Sequence, residues 1–328
     1  MSLPEIKYCP GTLKEGYNTY SNTALKRVFQ GKKVSPILPY EPPSSNIDTD
    51  ALFIENRKRM SISGVQEKFS VLLEKNKLRL IQEGEQGSYI LKPIPNVGKQ
   101  TDQMPANEHL SMQIARQVFG IETAESALMF FKNGDPAYIT KRFDVKEDGS
   151  KWGQEDFASL AGRTPQTHGE DFKYIGSYLD LFELLKKHTP AYQIESIKLF
   201  KLILFNYLIS NGDAHFKNFS LIETPLGDFK LSPAYDLLNS RIHIEDRDFA
   251  LDDGLLPPRK TKGKIKEQFY RLGELAGISE KQIRQTFKNM ISNEDKVLAL
   301  IKASYLNEKT KRNYTQAYQT RLKKLLRP

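Results

Sequence analysis

The longest apolar stretch of the chain, SIKLFKLILFNYLISNG at 196–212, runs directly into the polar block NGDAHFKN at 211–218. Apolar residues on every side of a helical repeat predict a helix at the centre of a packed unit. Such a helix holds the next residues of the chain in a fixed place. Those residues include an Asp and, five positions on, an Asn: Asp213 and Asn218. That spacing is the one a phosphotransfer loop uses. The Asp orients an attacking hydroxyl and accepts its proton. The Asn amide oxygen helps hold a magnesium ion, which prefers oxygen ligands and takes few from protein. Taken alone, the same block also reads as a turn in which Asn and Asp serve as caps.

Two further segments bear on this choice. A hairpin is predicted from NFSLIET, the turn at 225–228 and FKLSPAYD, so Asp236 leaves its second strand and returns toward the block. In a kinase, that is the place of the main metal-binding Asp. The competing reading makes Asp236 a helix N-cap for Leu237 onward. Lys92 sits inside the apolar strand YILKPI, where an ammonium is costly unless paired. Glu108, near the start of the next predicted helix, is its candidate partner. The stretch MSISGVQEK at 60–68 reads as a polar loop with one glycine, Gly64, whose backbone N–H groups can face phosphates. It matches neither a G-x-G-x-x-G nor a Walker A pattern.

Periodicity places the rest. KFSVLLEKNKLRLIQ predicts two strands around Lys75–Asn76, and SYILKPI a third that ends at Pro93 and Pro95. PANEHLSMQIARQVFG predicts a helix stopped by Gly120, and ESALMFF with AYITKRFD a hairpin. Residues 1–50 show turns and short strands, and 263–328 three helices. The class is α+β and two-lobed, with a β-rich lobe at 1–155 and an α-rich lobe at 156–328.

Charge and composition exclude other classes. Residues 259–328 carry 18 Lys and Arg against 6 Asp and Glu, while 1–258 carry 31 against 34. RKTKGKIK at 259–266 is the densest part. It reads as a solvated basic face or as a patch for an acidic partner. Cys9 is the one cysteine, so an internal disulfide and a multi-thiolate zinc site are excluded. No apolar run reaches the roughly 18 residues of a membrane span, and the opening residues show no secretory pattern. A cytoplasmic protein is expected, with no membrane partner.

The order of these segments resembles the HipA-type toxin kinases of bacterial toxin–antitoxin systems. The matching stretches are SISGVQEK at 61–68, YILK at 89–92, Asn107–Glu108, KRFD at 141–144, QEDF at 154–157, NGDAHFKN and LSPAYD at 231–236. They cover about residues 55 to 245. The resemblance implies a serine/threonine protein kinase with a protein-kinase-like, HipA-like fold that uses ATP and Mg2+. In that reading Asp213 is catalytic, Asn218 and Asp236 bind the metal, and Lys92 paired with Glu108 meets the nucleotide phosphates. Glu155, Asp156 and Phe157 form the hinge that receives adenine, and His215 and Tyr235 lie against the nucleotide. Gly64, Val65, Gln66, Glu67 and Lys68 form the phosphate-side loop, and Ser61 or Ser63 is autophosphorylated.

The chain begins almost at the kinase core and carries hydroxyls at both Ser61 and Ser63, which is similar to the short HipT branch. That resemblance implies a HipS-like small protein in place of an N-terminal subdomain and a HipB-like antitoxin that brings operator DNA. It also implies an aminoacyl-tRNA synthetase substrate, tryptophanyl-tRNA synthetase first. Two alternatives stay open. The G-D-x-H-x-x-N block at 212–218 is shared with small-molecule kinases of the aminoglycoside, choline and phosphoinositide types. The basic tail also fits a non-catalytic DNA-associated module.

Overall fold

A computed structural model describes residues 4–43, 67–96, 98–245 and 247–327. The chain divides into two compact units that interleave in sequence. The first takes Met1–Gln113, Ala124–Ser150 and Ala299–Lys311, and the second Ile114–Thr123, Lys151–Leu298 and Arg312–Pro328.

The first unit is built on an antiparallel sheet of β1 (Phe69–Glu74), β2 (Lys77–Leu80), β3 (Tyr89–Lys92), β4 (Ser126–Phe130) and β5 (Pro136–Lys141), in the order β2-β1-β3-β5-β4. The register lines up one row of apolar residues: Phe69 opposite Leu91, Leu91 opposite Ile139, and Ile139 opposite Ala127. All four are fully buried in one core cluster. Side chains alternate faces along a strand. Lys92 therefore faces away from that row, opposite Tyr138. The turn at Lys75–Asn76 closes as the sequence predicts, with Glu74 opposite Lys77.

The cluster also buries α1 (Asn22–Phe29), a helix in a region expected to hold only turns and short strands. It has eight residues, too few to show a periodicity. Its start is set by Ser21, whose hydroxyl accepts from the Ala24 N–H at 3.2 Å. Helix α2 (Met104–Gln117) lies between β3 and β4 in the chain, and Gly120 takes φ +61° where the chain turns beyond it.

The second unit surrounds α6 (Tyr192–Leu208), with α5 (Tyr178–His188) beside it and the short α3 (Phe157–Leu160) and α4 (Pro165–His168) before it. Leu199, Phe200 and every residue from Leu202 to Leu208 are buried, which fits the all-round apolar sequence. The helix ends four residues earlier than predicted because Ser210 takes φ +58°. Strands β6 (Gln154–Asp156), β7 (Ser220–Glu223) and β8 (Phe229–Leu231) form a small antiparallel sheet. The C-terminal region holds α7 (Ile265–Leu275), α8 (Glu280–Ile291), α9 (Glu294–Ala303) and α10 (Glu308–Leu326). That is four helices where three are predicted. One of the breaks lies just after α8. Ser292 there donates to the Lys288 carbonyl at 2.6 Å, and Asn293 to that of Asn289 at 2.8 Å. These side chains satisfy carbonyls that a continuous helix would have used.

Helix α10 ties back to the end of α6 through Arg321, whose side chain is 1% exposed. Its guanidinium lies 4.8 Å from the Tyr207 ring centroid, donates to Ser210 Oγ at 3.3 Å and pairs with Asp248. Removing the carboxylate leaves a buried cation uncompensated, whereas removing the Arg does not. Asp248→Asn is therefore expected to lower stability in urea by about 3 kcal/mol, the low end for a buried pair because Asp248 is half exposed. Arg321→Met is expected to lose clearly less. Equal losses would show that packing, not charge, is what Arg321 supplies. Burial raises the Asp248 carboxyl, but the hydrogen bonds and charges of Arg321 and Lys324 outweigh it, and the net shift is downward. The pair's contribution is thus present above the ordinary carboxylate range and is lost as pH falls through the depressed value.

Candidate active site

In the first unit, Lys92 Nζ bonds Glu108 Oε1 at 2.6 Å, with side-chain exposures of 5% and 3%. The Lys92 ammonium also lies 5.4 Å from the Tyr138 ring centroid. The pairing predicted from sequence is made, and it places a cation on a rigid strand at the sheet face opposite the core row. Glu67 and Lys68 lead into β1, both half-buried. Ser61, Ser63, Gly64, Val65 and Gln66 lie outside the described residues.

In the second unit, the polar block is held residue by residue. Asn211 folds back on the helix end, its N–H on the Asn206 carbonyl at 2.8 Å and its Nδ2 on Asn206 Oδ1 at 2.9 Å. Gly212 N–H donates to Ser240 Oγ at 2.8 Å. The His215 N–H donates to the Asp213 carbonyl at 2.8 Å and to Asn218 Oδ1 at 3.1 Å, and the Asn218 N–H closes a 3-10 turn on the His215 carbonyl. The spacing of five thus becomes one compact loop with Asp213 at its start and Asn218 at its end.

Asp236 arrives from β8. It has φ +53°, a left-handed conformation costing a non-glycine residue on the order of 1 kcal/mol. Its carbonyl lies 3.5 Å from Asn211 Nδ2, and its Oδ2 lies 3.5 Å from Asn218 Nδ2. No helix starts at Leu237, so the N-cap reading of Asp236 is overturned. Tyr235 donates to the Lys217 carbonyl at 3.0 Å, which fixes the approach of this segment.

The electrostatics are those of a half-closed acidic site. Burial pushes the Asp213 carboxyl up, the Tyr174 hydrogen bond and Lys173 pull it down, and Asp236 pushes it up again, for a net rise. Burial and Lys173 hold His215 down at about 3, so its ring is neutral at pH 7. Asp236 presents carboxylate oxygens, the hard donors that suit Mg2+ with few protein ligands, while the Asn218 amide turns its Oδ1 to the His215 N–H and its Nδ2 to Asp236. Among the described residues no group of three or more His, Cys, Asp or Glu is close enough to cage a metal.

The hinge segment divides unevenly. Strand β6 is the edge of the small sheet, with Glu155 opposite Leu221 and Asp156 opposite Ser220. The Gly153 carbonyl accepts from Glu223 N–H at 2.7 Å, and Phe157 N–H donates to the Phe219 carbonyl at 3.0 Å. In an antiparallel pair the bonded positions alternate. The backbone groups of residues 153, 155 and 157 therefore face β7, and those of Gln154 and Asp156 face outward. Of the three predicted hinge residues, Asp156 turns its backbone away from β7, and its carboxylate caps α3 through Ser159 N–H at 2.9 Å. Phe157 is fully buried.

Sequence reasoning missed Tyr174. Its hydroxyl donates to Asp213 Oδ1 at 2.9 Å, and its ring meets His215 edge-on with centroids 5.2 Å apart. Thirty-nine positions separate it from Asp213, so no local spacing signals the contact.

A family model described as the HipA-like C-terminal domain matches residues 60–298. The chain belongs to this family. The match takes in Lys92, Glu108, Asp213, Asn218 and Asp236. Relatives carry kinase names: a Haemophilus influenzae protein is 26% identical over 246 residues, covering 73% of this chain and 68% of the relative. Y4dM of Sinorhizobium fredii is 32% identical over 271 residues, covering 77% of this chain and 63% of its own length. Among solved structures, the HipA of Shewanella oneidensis, solved in a toxin–antitoxin complex with HipB and its operator DNA, superposes with a TM-score of 0.62. That match has 20% identity and covers 80% of this chain and 63% of the other. The Helicobacter pylori proinflammatory kinase CtkA gives a TM-score of 0.51 at 14% identity, over 77% of this chain and 92% of its own. The fold is thus the mixed α+β, kinase-like fold of HipA and CtkA, as the sequence predicts. Among the described residues no helix is long and apolar enough to cross a membrane.

Proposed function

We propose that this chain is a cytoplasmic, ATP- and Mg2+-dependent serine/threonine protein kinase that acts as the toxin of a toxin–antitoxin system. The observation that carries this reading is the meeting of Asp213, Asn218 and Asp236 in one loop-and-hairpin site, in a chain whose family and fold neighbours are HipA-like. The target class is an aminoacyl-tRNA synthetase serine, with tryptophanyl-tRNA synthetase as first candidate. The Shewanella HipA occurs with HipB and DNA, which supports a HipB-like antitoxin for this chain. A HipS-like small protein is the second proposed partner, and DNA is reached through the antitoxin. A groove lined by Lys260, Lys262, Lys266 and Arg271 together with Glu267 and Glu274, the last paired with Arg271, carries a modest net positive charge that a polyanion could meet.

In this reading Asp213 orients the acceptor hydroxyl and takes its proton as the oxygen attacks the γ-phosphorus. Its lifted carboxyl is a somewhat stronger base than an exposed Asp. Lys92, fixed by Glu108, binds phosphate oxygens, and the outward backbone of Asp156 receives the adenine edge. Neutral His215 and Tyr235 wall the nucleotide. Asn218 and Asp236 are the residues that would hold Mg2+, which when bound offsets phosphate charge. By the resemblance to HipA-type kinases the stretch at 61–68 is the phosphate-side loop, and a phosphoserine at 61 or 63 would bring about −1.5 to −2 charge to the nucleotide. Self-modification there then opposes nucleotide binding.

Phosphopeptide mass spectrometry of residues 60–68, before and after incubation with Mg-ATP, tests this reading. Phosphate is expected on Ser61 or Ser63 in the wild type and none in Asp213→Asn. ATP binding with no phosphate on this segment in either protein counts against the toxin-kinase reading. Transfer to a small amino alcohol instead would select the small-molecule kinase alternative.

A further inference from the structure

We propose that Tyr174 is a phosphoacceptor of its own chain, modified in cis. The inference rests on the kinase reading of Asp213. In that reading the acceptor hydroxyl must lie within hydrogen-bond reach of the Asp213 carboxylate. Among the described residues, the hydroxyl that donates to it is that of Tyr174, at 2.9 Å from Oδ1. The acceptor position is therefore occupied by a group able to react.

The tyrosine is delivered there by a stapled backbone. Its N–H bonds the Asp171 carbonyl at 2.9 Å, and its carbonyl accepts from Asp252 N–H at 3.0 Å. The preceding carbonyl, of Lys173, accepts from Phe216 N–H at 3.1 Å, inside the same loop that carries Asp213 and Asn218. Holding nucleophile and base at contact distance in one chain makes the proton-transfer geometry unimolecular. The side chain is partly buried, with His215 at the ring edge and Lys173 Nζ 5.0 Å from its centroid. A cation thus stands beside it. Burial and the charge of Asp213 raise the phenol, so it is protonated at neutral pH and needs a base to react. Asp213 is that base. By contrast Tyr178, four residues on, is fully buried and donates to the Ala214 carbonyl at 2.8 Å, so it has no access to the carboxylate.

The step balances within the proposed activity. Tyr174 Oη forms a bond to the γ-phosphorus of ATP, the bond from that phosphorus to the bridging oxygen breaks, and ADP leaves. The phenolic proton passes to Asp213 Oδ1 and from there to water. The product places about −1.5 to −2 charge beside Asp213, and it fills the acceptor position. Modification at this tyrosine therefore closes the site to other acceptors.

The test monitors the full-length chain in Mg-ATP by mass spectrometry of the peptide containing Tyr174, with ADP release measured in parallel. Phosphate is expected on Tyr174 and not Tyr178, at a rate per chain that dilution leaves unchanged. Asp213→Asn, checked for folding by its melting curve, is expected to reduce that rate at least about a hundredfold. ADP release or phosphoserine with no phosphate at Tyr174 overturns the proposal and leaves the kinase reading standing. So does Tyr174 phosphate that persists in Asp213→Asn or slows on dilution. No ADP and no phosphate on any residue overturns the kinase reading, and this proposal with it.

Discussion

Asn in place of Asp213 is expected to lower the rate of phosphoryl transfer about 10²–10⁴-fold, the range that a positioned general base supplies. The affinity for ATP should stay within a few-fold of wild type, because the substitution keeps the size of the side chain and removes its negative charge and its capacity to accept a proton. The Tyr174 hydrogen bond to Oδ1 is retained by the Asn oxygen, so the loop has no reason to rearrange. Asn218→Ala offers the internal contrast. Asn218 Oδ1 accepts from His215 N–H and its Nδ2 faces Asp236, so this change disturbs loop geometry as well as the proposed metal site. A loss in Asp213→Asn confined to kcat, beside a loss in Asn218→Ala that spreads into KM for Mg-ATP, separates the two roles. If Asp213→Asn transfers phosphate at the wild-type rate, Asp213 is not the base and the kinase reading loses its central residue.

Much of this site is legible in the sequence because its information is local. An apolar helix leading into Asp and Asn five apart, then a short hairpin ending in Asp236, fixes three side chains within one stretch of chain. The strand containing Lys92 is legible for a different reason. A cation between apolar neighbours demands a partner, and a nearby helix offers Glu108. What escapes the sequence is set by tertiary contact or by small local devices. Tyr174 reaches Asp213, and Arg321 reaches Ser210, across separations that carry no periodic signal. Helix α1 depends on one Ser21 cap and on burial against the sheet, and the α8–α9 break on two side-chain bonds to carbonyls. The hinge shows the same limit at finer scale. QEDF marks the segment, but only the register with β7 decides that Asp156 rather than Glu155 turns its backbone outward.

The Lys92–Glu108 pair carries the largest stability effect expected in the first unit, and it allows structure and chemistry to be told apart. Lys92→Met leaves the Glu108 carboxylate, 3% exposed, without its cation. Glu108→Leu leaves the ammonium, 5% exposed, without its anion. Each single change is expected to reduce unfolding free energy by about 3–5 kcal/mol, since a buried charge that loses its ion-pair partner costs more than the pair contributes. The double variant, apolar at both positions, is expected to recover most of that loss, because two desolvated charges are replaced by side chains that favour burial. Acid pH should restore part of the stability of Lys92→Met alone, by protonating the carboxylate that has lost its cation. Phosphoryl transfer behaves differently. If Lys92 binds phosphate oxygens, the refolded, stable double variant stays as inactive as Lys92→Met. A double variant that regains activity along with stability would reduce Lys92 to a buried structural pair, and phosphate binding would then rest on other groups. A double variant as unstable as either single change would mean that Lys92 and Glu108 are held by their separate surroundings rather than by each other.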